Sequence, residues 1–325
     1  MPNWVFNTIN NYTEDLYNKY SNEEGNYAID FDKVIPEPEE ITNTVSGSMN
    51  DTAKAVYKYT NYINEAEAKG ETLNLRWDNN NPLRDRVKRE AENTTMAMGE
   101  LAIENPDDSL HEILDKESTP NYKKQQYDRY VKIFGNNSLD HIKDYKQMYD
   151  NYVKVEEEDF DNYKNKDSKF DKYHYQDKES LYDVGKYLTE LQEKYGYDNW
   201  YDWRIANWGT KWNACESDYD KDGECMRFNT AWSIPYPIIT KIAKDNPDAK
   251  LDGYSEEETG WFDEYTSDNG KIYINARGEM EYSEEDDKYI ENREEVNPPE
   301  ELYYDDVAKK EKEDWDRFLV GKFLI

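Results

Sequence analysis

Glycine, cysteine and histidine are scarce in this chain. Its 325 residues hold 14 glycines, 2 cysteines and 3 histidines. The few glycines form no G-x-x-x-x-G-K phosphate loop. His111, His141 and His174 are scattered and give no His-x-x-x-His or Cys-His spacing for zinc. Cys215 and Cys225 are too few for a disulfide framework. The expected state is two reduced strand residues on either side of the Asp222-Gly223 turn. Apolar residues reach only 36%, against roughly 45–50% in an ordinary globular domain. No apolar run approaches the ~20 residues of a membrane span. The opening Met1-Pro2-Asn3-Trp4-Val5-Phe6 has neither the basic nor the apolar region of a secretory leader. These absences together lead to the expectation of a cytoplasmic protein.

Basic side chains are the last shortage. Lys and Arg number 41 against 73 Asp and Glu, so the formal net charge is −32. Direct nucleic-acid binding is disfavoured, because phosphates are drawn to clustered cations. Anionic membrane surfaces are disfavoured for the same reason. Low hydrophobicity with high charge is the composition of a disordered chain, but such chains are also poor in aromatics. Here aromatics make up 15%, with 30 Tyr and 9 Trp. The chain is therefore read as folded, with Tyr and Trp supplying core that aliphatics would usually supply.

The first 35 residues read as strand, helix, strand. Residues 3–9 are aromatic and β-branched, Thr13-Glu14-Asp15 opens a helix, and Tyr27 to Phe31 alternate as a half-buried strand. From 37 to 180 helical periodicity takes over. Tyr127, Tyr130, Val131 and Phe134 form one stripe, and Ile142, Tyr145, Tyr149, Tyr152 and Val153 another. This stretch is read as a helical, Tyr-rich insertion. From Leu181 a stripe of Leu181, Val184, Tyr187, Leu188 and Leu191 runs to Gly196. A Trp-dense block follows, with Trp200, Trp203, Trp208, Trp212 and Trp232. Residues 211–219 and 224–232 read as two strands around a turn. A helix opens at Ser233-Ile234-Pro235 and buries Ile238, Ile239 and Ile242; further strands are expected at 249–256, 261–266 and 271–275. Residues 279–314 carry 16 acids against 5 bases, about a third of the net charge. Beyond them Trp315, Phe318, Leu319, Val320, Phe323, Leu324 and Ile325 read as an apolar terminal helix docked on a surface.

Three blocks, in order, carry a resemblance. Met1-Pro2-Asn3-Trp4-Val5-Phe6-Asn7 resembles the opening of the YubB-type ferredoxin-like domain family of phage and plasmid proteins. The segment from Asp198 through Asn207, Trp208, Gly209, Thr210, Lys211 and Trp212 is similar to its most specific block. Phe228-Asn229-Thr230-Ala231-Trp232-Ser233-Ile234-Pro235 is similar to another, and Tyr254 to Phe262 matches more loosely. Val5 and Ile234 depart from the family's Cys and Pro. The resemblance covers residues 1–36 and 181–276. It implies an α+β fold, a ferredoxin-like split β-α-β sheet interrupted by the insertion at 37–180 and followed by an acidic segment at 277–325. It also implies that Asn3, Trp4, Asn207, Trp208, Gly209, Lys211, Trp212, Thr230 and Trp232 are structural motif residues. "Ferredoxin-like" is a fold label here, since two cysteines cannot supply the four thiolates of an iron–sulfur cluster.

Two motifs invite sharper chemistry. Asp218, Asp220, Asp222 and Gly223 match the first half of a calcium loop, but the twelfth position is Asn229, where a glutamate is wanted. A hairpin tip is the preferred reading. The Trp cluster, with only Arg204 and Lys211 as basic neighbours, reads as core rather than as a stacking platform. No catalytic residue, metal or cofactor is expected. The leading expectation is a non-enzymatic phage or mobile-element protein in the host cytoplasm. It would bind and antagonise a host protein with a basic surface, such as a nuclease or defence complex. The insertion and the acidic segment are expected to carry specificity. The alternatives are an acidic nucleic-acid mimic of restriction-type enzymes, an enzyme with a carboxylate or metal site, and a self-assembling structural protein; a homo-oligomer is compatible with the leading reading.

Overall fold

The structure, a computed structural model, describes residues 3–71, 84–135, 145–166, 178–283 and 288–302. It is an α+β chain with an antiparallel sheet. It divides into two compact units, one of Met1–Thr42 with Asn199–Ile325 and one of Asn43–Asp198.

The first unit holds the sheet. Its elements are β1 (Trp4–Asn10), α1 (Glu14–Tyr20), α2 (Phe31–Val34) and α3 (Glu39–Thr42). After the excursion into the second unit come α10 (Trp200–Trp208), β2 (Cys215–Asp220), β3 (Cys225–Ala231) and α11 (Tyr236–Asp245). Four strands follow: β4 (Asp252–Glu257), β5 (Trp261–Asp268), β6 (Lys271–Ser283) and β7 (Lys288–Leu302). The order across the sheet is β2-β3-β1-β4-β5-β6-β7, and every neighbouring pair is antiparallel.

Period-two alternation decides which side chains reach the core. Val5, Asn7 and Ile9 point to one face with their partners Thr230, Phe228 and Met226 on β3. Helices meet that face. Phe31 of α2 lies edge-on to Phe228 at 5.8 Å, Tyr17 of α1 stacks on Tyr219 at 4.6 Å, and Tyr236 of α11 meets Tyr265 at 6.2 Å. Burying such rings supplies area that the low aliphatic content does not. A polar row crosses the same face. Asn7 Nδ2 donates to Thr230 Oγ1 at 3.0 Å, and Ser255 Oγ donates to Asn7 Oδ1 at 2.8 Å. Both amide ends of a buried asparagine are thus satisfied, which fixes β3, β1 and β4 in one register.

The second unit is helical: α4 (Ser48–Lys69), α5 (Arg84–Glu104), α6 (Leu110–Asp115), α7 (Asn121–Phe134), α8 (Tyr145–Lys166) and α9 (Leu181–Tyr195). Its core gathers Ala53, Val56 and Tyr59 of α4 with Tyr149 and Tyr152 of α8 and Val184 and Leu188 of α9. Tyr59 and Tyr149 approach to 3.9 Å between ring centroids. Gly185 lets α9 lie against α4, since a Cβ there would overlap the Ala53 carbonyl.

Three expectations are corrected. Residues 27–31 do not form a strand: Tyr27 makes only a bridge to Asn22, and Asp30 caps α2 by accepting from Asp32 N at 3.0 Å. A side-chain cap offered the backbone a helix instead. Residues 181–198 belong with the helices and not with the sheet, because the Leu181, Val184 and Leu188 stripe packs on α4. The acidic residues 277–283 and 288–302 are strands of the sheet, not a segment that follows it. β6 and β7 pair over residues 272–274 with 300–302 and over 276–283 with 288–295. Arg277 of β6 binds Glu300 of β7 at 2.8 Å, and Arg293 of β7 reaches Glu264 of β5 at 2.7 Å. Opposite charges across strands make an acidic edge compatible with pairing. The apolar terminal segment, Ile142, His141, His174 and the Met1-Pro2 opening lie outside the described residues.

Candidate partner-binding site

The Trp block divides into a buried half and an exposed half. Asn199 caps α10 by accepting from Asp202 N at 3.0 Å. The helix then turns Trp203 and Trp208 inward, where they are 6% and 2% exposed. Their rings meet edge-on at 5.9 Å, and Trp208 Nε1 donates to the Ile35 carbonyl at 2.9 Å. Arg204 forks onto Glu37 at 3.0 and 2.6 Å, and its guanidinium covers the Trp200 and Trp208 rings. Asn207 Nδ2 donates to the Trp203 carbonyl at 2.8 Å. Gly209 ends the helix at φ 77°, and a Cβ there would sit 2.8 Å from Pro237 Cδ. Both the dihedral and the space require glycine.

Past Gly209 the chain comes out. Thr210 is buried and donates to the Ala231 carbonyl at 2.9 Å. Thr230 donates to the Ser233 carbonyl at 2.8 Å. Lys211 and Trp212 follow at the surface. Trp212 and Trp232, expected in the core, are 36% and 51% exposed. Phe6, on the outer side of β1 with Trp4, is 48% exposed. Trp4 lies 6.0 Å from Trp212, and Lys211 Nζ sits 4.0 Å from the Trp212 ring centre and 5.6 Å from that of Trp232. Phe6, Trp4, Trp212, Lys211 and Trp232 therefore form one aromatic patch. Among them, Phe6 was singled out by no motif. Its signal is the alternation of Val5, Asn7 and Ile9, which leaves residues 4 and 6 on the outer face.

Acids frame the patch. Glu256 faces Phe6 across β1 and β4. Glu216 accepts from Asn229 Nδ2 at 2.8 Å, and Asn229 is the β3 partner of Phe6. Glu257 is not part of this frame: it is buried opposite Val5, where burial pushes its carboxyl up, but the Thr259 hydroxyl and N–H and the Asn3 side chain outweigh that and hold it below its ordinary value. Two residues of the frame have left-handed backbones without being glycine, Glu216 at φ 48° and Trp232 at φ 75°. Trp232 N–H donates to the Asn3 carbonyl at 2.9 Å, which anchors that conformation. Strained backbone of this kind persists only where surrounding bonds over-determine it. A cavity of about 490 Å³ opens beside the patch, lined by Trp212, Asn213, Cys215, Glu216 and Tyr27 among others.

The other candidate chemistry is placed as follows. The Asp218–Gly223 turn is the tip of the β2–β3 hairpin. Asp220 Oδ1 accepts from Gly223 N at 3.1 Å, and Asp218 faces Arg227 at 3.8 Å. Among the described residues, no group of three or more His, Cys, Asp or Glu is placed to hold a metal ion. Cys215 and Cys225 are both free thiols. His111 is exposed beside Asp115. Within the helical unit a cavity of about 500 Å³ is lined by Arg89, Arg129, Glu156 and Asp159 among others. Arg129 is clamped by Glu156 and Asp159, so its charge is already matched. Among the described residues no helix is long and apolar enough to cross a membrane.

No family model, no curated protein and no solved structure matches the chain.

Proposed function

We propose that this chain is a non-enzymatic binding protein of phage or mobile-element origin. It holds and antagonises a host protein with a basic surface, one that handles nucleic acid in the cytoplasm. The observation that carries the reading is the patch of Phe6, Trp212 and Trp232, half exposed on a protein of net charge −32. Tyr, Trp and Phe dominate binding energy where partners meet, and single-sign fields steer the opposite sign towards them. A strongly acidic surface competes with nucleic acid for the same cationic groove. The patch, rather than the helical unit, is the anchor.

The same reading takes β4-β1-β3-β2 as a ferredoxin-like sheet of the YubB type. Its support is the antiparallel order, with helices inserted after β1 and after β3, together with the three sequence blocks. In that view β5, β6 and β7 extend the sheet, and 43–198 is the insertion between β1 and β2.

The test is capture from host lysate at low and high salt, run in parallel with a Phe6→Ser/Trp232→Asn variant. The expected outcome is a nucleic-acid-binding protein that the wild type retains at low salt, releases at high salt, and the variant does not hold. Its purified activity on DNA or RNA should fall when the wild type is added. Equal capture by both proteins, or unaltered activity of the retained protein, refutes the reading.

A further inference from the structure

Lys211 has an unusual position for a cation in this chain. The chain holds 73 acids, yet Lys211 forms no ion pair with any described residue. Its ammonium lies instead over two indole rings, 4.0 Å from the centre of Trp212 and 5.6 Å from that of Trp232. Both distances are within the ~6 Å over which a ring face attracts a cation. The rings stand where the backbone holds them, Trp232 in its left-handed conformation tied to Asn3 and Trp212 against Trp4. The cavity beside Trp212 carries the exposed Glu216 carboxylate on its rim. A cationic side chain entering there meets an indole face and then an acid.

We infer that Trp212 and Trp232 form a cation clamp for an arginine or lysine side chain of the partner, and that Lys211 is the clamp's internal occupant in the free protein. This rests on the proposed basic partner. The incoming cation displaces Lys211, whose four-carbon stem lets its ammonium swing into water. Glu216 adds an ion pair that Lys211 does not use. The clamp therefore sets a threshold: a lone basic residue must displace an ammonium tethered beside the rings, whereas a partner with neighbouring cations also gains the surrounding acids.

The test uses a hexa-arginine peptide as the probe, its affinity read by calorimetry at low salt on the full chain. Lys211→Gln empties the clamp, and the expected result is a gain of about two- to fivefold. Removing any positive charge would also favour a basic peptide, so the same substitution is made in a Trp232→Asn background. Asparagine tolerates the left-handed conformation, so this variant keeps the backbone. If the clamp is right, Trp232→Asn alone weakens the peptide, and the gain from Lys211→Gln is smaller there than in the wild-type background, cut back towards what loss of a positive charge alone gives. An equal gain in the two backgrounds, or no gain in the wild-type background, overturns the clamp. That result leaves the proposed function intact, because that reading fails instead on equal capture of host protein by wild type and Phe6→Ser/Trp232→Asn, or on unaltered activity of the retained protein.

Discussion

Two halves of one Trp-rich stretch have opposite fates. In α10 and at its end, Trp203 and Trp208 are buried edge-on to one another, and Trp208 is hydrogen-bonded and covered by Arg204. A few residues on, Trp212 and later Trp232 stand at the surface around Lys211. Residue type does not separate them. What separates them is a glycine at φ 77°, which stops the helix, and a strand register that leaves the chain past Thr210 and Ala231 outside the core. The lesson is that a dense aromatic block can be scaffold and interface at once, with the scaffold half holding the other half in place.

Substitutions can break this comparison from either side. Trp208→Ala should act on folding alone, costing about 3–5 kcal/mol from the lost ring and its cavity. Chemical denaturation measures it, and the surviving folded fraction should bind a basic probe as the wild type does. Gly209→Ala comes next, at about 1–3 kcal/mol, because the new Cβ meets Pro237 in a backbone region that alanine avoids. This variant should disturb both halves, so its denaturation midpoint and its probe affinity should fall together. Trp232→Asn should reverse the pattern of Trp208→Ala: stability within about 0.5 kcal/mol of wild type, but affinity for the basic partner down about tenfold or more.

The smallest effect concerns pH. Glu257, at the end of β4 beside Asn3, has its folded pKa held below the ordinary 4.5. The folded protein then binds this proton less tightly than the unfolded chain. The stabilisation is full above 4.5 and is lost as pH falls through the lower folded value. Glu257→Gln should therefore flatten the acid limb of the stability profile, seen as thermal midpoints that converge with wild type at low pH and separate near neutrality.

Much of the sheet unit is legible in the sequence. The alternation of β1, the hairpin around Asp222-Gly223 and the Ile238, Ile239 and Ile242 face of α11 follow from local period and turn chemistry. The errors have tertiary causes. The α9 stripe was visible, but that its partner is α4 emerges only from the packed core and from the close approach of Gly185 to Ala53. The alternation at Tyr27–Phe31 was outweighed by the Asp30 cap and by Asn213, whose Oδ1 accepts from Phe31 N at 2.9 Å. The acidity of residues 277–283 and 288–302 disguised a strand pair, because cross-strand Arg–Glu partners become neighbours only once the sheet exists. Of the site, Lys211, Trp212 and Trp232 were named, but their exposure depends on backbone angles that composition does not encode.

The most direct test of the exposed half as a binding surface is the dissociation constant of the captured host protein for three chains: wild type, Trp208→Ala and Phe6→Ser/Trp232→Asn. Each constant is taken per folded molecule, at low and at high salt. An affinity that Trp208→Ala preserves, that Phe6→Ser/Trp232→Asn reduces by about tenfold or more, and that weakens with salt is the predicted result. Equal constants for wild type and Phe6→Ser/Trp232→Asn would contradict the account.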